Sequence, residues 1–345
     1  MRFPIALVAL AAATMLPSSS QAQDTGAGFQ SYLMQVRAAA LRDGVSPRTL
    51  DTILPTLTFN PRVVELDRAQ PGGTPSSQPS SASPPFAPYR ARHVDAERIS
   101  RGRTRYAEVR ATADRVERER GVPAGILMAI WGHETNYGGY VGDFDLIRSL
   151  ASLAYDGRRR ELFEPELIAT LRMVDRGVPR ERLKGSWAGA FGYPQFLPSV
   201  YLRLAVDEDG DGLANIWSSR ADTLASIANY LGNAGWKPGV PWGVAARVPA
   251  GLDRASLGSL GASPRCPRVH ERHSRWRTMA EWRRLGVVPQ GPRWPADDEM
   301  ASLLEPDGPG NTAYLLTGNY RVILDYNCSN FYALSVGLLA DEITR

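Results

Sequence analysis

Cysteine is nearly absent from this sequence: Cys266 and Cys328 are the only two in 345 residues. At most one disulfide is open to the chain, and two free thiols are the alternative. Histidine is almost as scarce, with four. His133 precedes Glu134, but the second histidine that an H-E-x-x-H zinc site needs is replaced by Tyr137. A zinc protease is excluded on that ground. Neither sign of charge is in large excess, since 40 Lys and Arg face 36 Asp and Glu for a formal net charge of +4. Arginines gather in residues 90–120 and 265–284, yet Glu97, Glu108, Glu117 and Glu119 are interleaved with the first group, as on solvated, ion-paired helix faces. Nucleic-acid binding is not supported. Beyond the N-terminus no apolar run reaches the roughly 18 residues of a membrane span, so no transmembrane segment is expected. No internal repeat is found.

The longest apolar stretch lies at the start. Arg2 precedes the run 5–16, followed by Pro17, serines and the small-x-small triplet Ser20-Gln21-Ala22. This is the pattern of a cleaved signal peptide over 1–22. It predicts a soluble periplasmic protein, with no cysteine at the expected cut to take a lipid anchor. Phe29, Leu33, Val36 and Ala40 then recur at turn spacing, predicting an N-terminal helical module over 23–70. Residues 71–85 (PGGTPSSQPSSASPP) abandon any apolar period and read as a linker or exposed insertion without chemistry. Residues 86–345 form the expected main domain. It is mostly helical to Tyr230, has a small β-rich part over roughly 236–324 that ends in a strand at 320–324, and closes with a helix over 332–343. The fold class expected is α+β, predominantly α-helical.

Residues 131–138 (WGHETNYG) carry the most information. Pro123 suits the start of a helix, and Ile126, Ile130 and Glu134 share one face, widened by Leu127 and Trp131. A carboxylate on such a face is partly desolvated, which raises its pKa toward what a general acid needs near neutrality. Glu134 is therefore the candidate acid, against the commoner fate of a helical glutamate, which is to face water. Residues 184–199 (KGSWAGAFGYPQFLPS) mix small residues, aromatics, amides and hydroxyls in a segment too irregular for a core element. Such a loop lets donors approach a sugar closely. Asp207, Asp209, Asp211 and Gly212 match positions 1, 3, 5 and 6 of a calcium loop, but Ser218 stands where a bidentate glutamate is expected.

Together with residues 228–231 (ANYL) and 326–334 (YNCSNFYAL), these motifs resemble those of the B-type bacterial lytic murein transglycosylases, over about 29–343 and interrupted mainly by 71–85. The resemblance implies a lysozyme-like catalytic domain that cleaves the β-1,4 bond between N-acetylmuramic acid and N-acetylglucosamine in peptidoglycan. It implies a product with a 1,6-anhydro ring, formed by a single glutamate, here Glu134, acting as acid and then as base. Ser186, Gln195, Tyr230, Tyr326 and Asn327 match the family's substrate-cleft residues, and amides, hydroxyls and tyrosine faces suit a sugar chain. Taken alone, Tyr230 would read as core, Ser186 as a turn or cap, and Asn327 as a turn after the strand.

The same resemblance implies a longer calcium loop in which Asp222 joins Asp207, Asp209, Asp211 and the backbone carbonyl of Leu213. A structural calcium is then the only ion expected, and no cofactor is required for the chemistry. Asp143, Asp145 and Asp156 follow Glu134 closely enough in sequence to be weighed as a second carboxylate. Gly157 departs from the family pattern beside Arg158 and Arg159, which puts substrate fit on that side in question. The partners implied are peptidoglycan glycan strands and cell-wall enzyme complexes. A hydrolytic muramidase using the same acid, a non-catalytic glycan-binding scaffold and a calcium-binding structural protein are the rival readings.

Overall fold

The computed structural model describes residues 19–70, 84–260, 266–291 and 294–345. Positions 1–18 of the expected signal peptide and 71–83 of the expected linker lie outside the described residues. The helices are α1 (Ser19–Arg42), α2 (Pro47–Ile53), α3 (Pro61–Arg68), α4 (Ala87–His93), α5 (Ala96–Arg120), α6 (Ala124–Thr135) and α7 (Leu146–Asp156). They continue with α8 (Arg160–Asp175), α9 (Pro198–Leu204), α10 (Arg220–Asn233), α11 (Pro267–His270), α12 (Met279–Arg284), α13 (Gly318–Tyr326) and α14 (Asn330–Ile343). Local chemistry marks their ends. Ser46, Asn60, Asp95, Asp145 and Ser219 each accept a backbone N–H from the first turn of the helix that follows. Gly121 and Gly157 close α5 and α7 in the left-handed conformation.

Two helical cores meet side by side. In the first, α5, α10 and α14 surround α6, and α13 joins through α10 and α14, with Trp131, Leu127, Leu231, Ile323 and Leu334 at its centre. In the second, the N-terminal helices α1–α3 share one apolar cluster with α7–α9, built on Phe29, Leu50, Leu150, Phe163 and Phe191. Polar contacts add to that union. Asp67 is buried and takes Arg158 at 2.8 Å and also Arg159, while the Arg148 guanidinium donates to the carbonyls of Thr58 and Phe59. Tyr230 and Tyr326 pack against both cores, so they mark the seam between them.

The small sheet is antiparallel, in the order β4 (Arg277–Thr278), β6 (Met300–Leu304), β7 (Ala313–Leu316), β3 (Gly243–Arg247), β5 (Val288–Pro289), counting a separate ribbon of β1 (Phe144–Asp145) and β2 (Lys184–Gly185). Its register pairs Gly243 with Leu316 on one side of β7 and Ser302 with Leu316 on the other. One expectation is overturned here. Residues 320–324, read as a strand, belong to α13. The β-branched Val322 and Ile323 mislead, but Thr317 caps the segment, and Tyr320, Ile323 and Leu324 fall at helical spacing on its buried side.

The Arg-rich stretch on α5 is largely neutralised along its own surface. Arg101 pairs with Glu97, Arg105 with Glu108, and Arg115 and Arg120 with Glu208 of the acidic loop.

Candidate active site

Helix α6 is apolar on all sides. Ten of its twelve residues are buried, and the two that are not are His133 and Glu134. The expectation of a single apolar stripe is thus too narrow: a helix hydrophobic all round is enclosed by the protein, here by α5, α10 and α14. The approach to α14 is so close that a Cβ on Gly125 would stand 2.8 Å from the Ala340 carbonyl oxygen. Burying each large aliphatic or aromatic side chain contributes about 1.5–3 kcal/mol, which holds α6 rigid beneath its polar end.

At that end Glu134 is half-buried as a residue, with its carboxyl desolvated by the surrounding protein. Burial pushes its pKa up to about 7, while the Tyr332 hydroxyl, donating to Glu134 Oε1 at 2.6 Å, pulls it down. No second carboxylate among the described residues contributes to the shift. Asp145 caps α7 and pairs with Arg180, and Asp156 pairs with Arg68, so neither is free to face Glu134. His133 is driven the other way, to about 3, again chiefly by burial, and is neutral at ordinary pH.

The chain leaves α6 through strained backbone. Asn136 and Tyr137 have φ of 53° and 59°, and Gln195 in the loop after β2 has φ of 50°. Left-handed backbone at non-glycine residues costs of order 1–3 kcal/mol and gathers at functional sites. The turn is locked by Thr135, whose hydroxyl donates to the Tyr193 carbonyl and accepts from the Gly138 N–H, both at 3.1 Å. A little further on, Gly142 (φ +84°) lies so close to the opposite loop that a Cβ there would stand 2.3 Å from the Gly185 carbonyl carbon. Only glycine fits.

Three of the expected cleft residues, Tyr230, Tyr326 and Gln195, gather with the 191–196 loop near this end of α6. The Tyr326 hydroxyl donates to the Pro194 carbonyl at 2.6 Å, and its ring meets Tyr230 edge-on at 4.8 Å, with Phe196 beneath both. Burial raises the Tyr326 pKa well above its ordinary value, and Glu134 lies close enough to raise it further. Tyr230 donates to the Asp325 carbonyl at 2.8 Å. These two hydroxyls are both spent on backbone carbonyls. Gln195 bonds the carbonyls of Gly192 and Val141, which ties the loop to the strained turn. Ser186 accepts the Ala190 N–H at 3.0 Å, so it shapes the loop as the turn reading anticipated. Asn327 ends α13 and is exposed.

Tyr332 is the residue that sequence reasoning passed over, although it lies within the quoted segment 326–334. A tyrosine inside a helix as apolar as α14 needs a partner for its hydroxyl, and that demand was the available signal.

Beside α10, the carboxylate oxygens of Asp207, Asp209 and Asp211 come within 4.8 Å of one another on an exposed loop. Three hard oxygen donors suit calcium. Asp222 does not join them. It is buried, and its carboxylate takes the N–H groups of Glu208, Asp209 and Asn215, so it holds the loop from within. The Leu213 N–H donates to Asp211. Cys266 and Cys328 are joined in a disulfide, with Cα atoms 5.3 Å apart, which fastens the residue after Asn327 to the segment leading into α11.

A helical body with a small sheet, and one desolvated acid at the end of a buried helix, are what a lysozyme-like enzyme of the lytic transglycosylase type presents. The chain belongs to the family described as the transglycosylase SLT domain, which matches residues 28–341. Membrane-bound lytic murein transglycosylase B of Escherichia coli K12 is 30% identical over 305 residues, covering 88% of this chain and 79% of the relative. SltB3 from Pseudomonas aeruginosa, solved in complex with NAG-anhNAM-pentapeptide, superposes with a TM-score of 0.80 at 39% identity, covering 92% of this chain and 79% of that one. The Escherichia coli transglycosylase SLT35, solved in complex with calcium, gives 0.70 at 27% identity, with 92% and 93% covered. The protein is accordingly a peptidoglycan lytic transglycosylase, a lyase. No helix among the described residues is long and apolar enough to cross a membrane.

Proposed function

We propose that the protein cleaves the β-1,4 bond between N-acetylmuramic acid and N-acetylglucosamine in peptidoglycan and leaves a 1,6-anhydro end, with Glu134 as the only catalytic carboxyl. The observation that carries this reading is that Glu134 is desolvated at the end of α6 and bonded only by the Tyr332 hydroxyl, its pKa pushed up to about 7 by burial, with no charged group among the described residues shifting it. Protonated at neutrality, Glu134 gives its proton to the glycosidic oxygen as the C1–O4 bond breaks. The acetamido oxygen of the muramic acid closes on C1 and shields its positive charge, so a second carboxylate is dispensable. The Glu134 carboxylate, steadied by the Tyr332 hydroxyl, then takes the proton of the sugar's own 6-hydroxyl as that oxygen displaces the acetamido group from C1. Glu134 is protonated again and no water is consumed.

Gln195 and the faces of Tyr230 and Tyr326 line the glycan path in this reading, while Ser186 and Asn327 act at its edges. Asp207, Asp209 and Asp211 hold a structural calcium that braces the loop before α10. Calorimetric titration with calcium gives heat for the native protein and none for Asp209→Asn; no heat with either would remove the ion. Export to the periplasm is supported by the leader-like residues 1–22 and by the disulfide, since disulfides persist in oxidising compartments.

The deciding experiment digests purified murein sacculi and weighs the products. Muropeptides lighter by one water carry the anhydro end. Reducing ends would make the protein a muramidase, and intact sacculi with protein bound would make it a scaffold.

A further inference from the structure

Glu134 lies between two residues that are bonded to one and the same partner on another helix. Gly132, just before it in the last turn of α6, accepts the Arg98 guanidinium on its carbonyl at 3.0 Å. Tyr137, just after that turn, donates its hydroxyl to the Arg98 carbonyl at 3.3 Å. Arg98 is itself held in the first turn of α5 by Asp95, which accepts its N–H at 2.9 Å and faces its Nε at 3.9 Å. A cation suits this place, because the last carbonyls of a helix lack a full set of helical partners and carry the negative end of its dipole. The Gly132 carbonyl already accepts the Asn136 N–H at 3.0 Å, so the guanidinium takes its second lone pair in a charge-assisted bond. The neighbouring bases do not supply that charge. His133 is kept neutral chiefly by burial, and Arg101 is paired with Glu97.

The Tyr137 half of this clamp is equally tight. Its ring is buried between two glycines: a Cβ on Gly132 would stand 2.6 Å from its Cζ, and one on Gly102 of α5 2.4 Å from its hydroxyl oxygen. Trp131 meets the ring edge-on, with centroids 5.8 Å apart. A non-glycine residue stays left-handed where its surroundings over-determine it, and here the Arg98 carbonyl and the two glycines do so. We propose that Arg98 is a positioning residue for cleavage: its guanidinium on the Gly132 carbonyl and its own carbonyl under the Tyr137 hydroxyl fix the turn that aims the Glu134 carboxyl. The proposal rests on the reading of Glu134 as the acid. Arg98 is bonded to backbone and ring on either side of Glu134, and its charge is not among the causes that shift the Glu134 pKa. It therefore acts on where the carboxyl stands, beside the Tyr332 hydroxyl at 2.6 Å. One carboxyl that serves first as acid and then as base loses both steps when misplaced, and a displacement of about 1 Å costs on the order of a hundredfold in rate.

The test compares the full-length mature enzyme with Arg98→Gln, Arg98→Lys, Tyr137→Phe and Glu134→Gln, with circular dichroism and Tm recorded for each. Initial rates on murein strands give kcat and KM, and the calorimetric stoichiometry of glycan-strand binding counts the competent fraction. Arg98→Gln should lower kcat about tenfold to a hundredfold, with KM and stoichiometry unchanged. Arg98→Lys should recover most of that loss, because a single N–H on Gly132 is what an ammonium can also supply. Unchanged kcat in Arg98→Gln, a loss explained by lower stoichiometry or higher KM, or equal losses in Gln and Lys would overturn the positioning role. If Arg98→Gln does not fold, Tyr137→Phe carries the test by removing one hydroxyl: a several-fold lower kcat at unchanged KM supports the clamp, and native kcat refutes it. Lysis that survives Glu134→Gln removes the acid reading. Lysis lost in Glu134→Gln but native in Arg98→Gln removes only the role of Arg98.

Discussion

Replacing Glu134 by Gln tests the site through stability as well as activity. The folded protein holds the Glu134 proton up to about pH 7, whereas the unfolded chain releases it near the ordinary 4.5. Between those values the folded state binds more protons, so native stability is fully present below 4.5 and falls as pH rises toward 7. At about 1.4 kcal/mol per pH unit, the loss attributable to this one carboxyl approaches about 3 kcal/mol above pH 7. Partial access to solvent makes that an upper bound. Gln keeps the shape and can still accept the Tyr332 hydroxyl, but never ionises. Denaturant unfolding of both proteins across pH 4 to 9 should therefore show near-equal stabilities at the acid end and an advantage for Glu134→Gln that grows with pH and levels off above 7. The variant should bind glycan strands and leave them uncut. A stability difference independent of pH, or one that shrinks as pH rises, would refute the desolvated acid, and substantial remaining lysis would refute its role.

Tyr332→Phe removes the hydrogen bond that favours the Glu134 anion, so the alkaline limb of the kcat/KM profile should move up by about one pH unit, with kcat reduced; an unmoved limb would show that the bond is idle. Gly142→Ala forces a Cβ against the Gly185 backbone in left-handed geometry and should lower stability by about 1–3 kcal/mol, with a marked drop in turnover, measured by denaturant titration and murein clearing. Changing both cysteines to Ser opens a crosslink spanning 62 residues, which the chain-entropy account values at about 4 kcal/mol. Two alkylatable thiols in the native, unreduced protein would rule the bond out.

Much of the site could be read in advance because its residues obey local rules. Glu134 declared itself through a helix with too few polar positions to explain an acid there. The aspartates 207, 209 and 211 drew notice through spacing alone, since the pattern of a calcium loop is short-range, and folding does bring their carboxylates within 4.8 Å of one another. Tyr230, Tyr326, Gln195, Ser186 and Asn327 came from their match to family motifs. Composition offers no reason for a tyrosine on one helix to face a loop from another.

What remained hidden was whatever depends on two distant segments meeting. Residues 320–324 carry the same β-branched signal in a strand or a helix, and only the cap at Thr317 with the packing of α13 against α14 selects the helix. The union of α1–α3 with α7–α9 rests on contacts across about a hundred residues, such as Asp67 with Arg158, that leave no periodic trace in the chain. The bond from Tyr332 to Glu134 spans 198 positions. The sequence by itself determined which residue could be the acid, because helix period and residue chemistry are local. The tertiary structure decided how acidic it is, because desolvation is a property of what surrounds a carboxyl, and α14, α5 and the loop carrying Pro194 are brought around it only by folding.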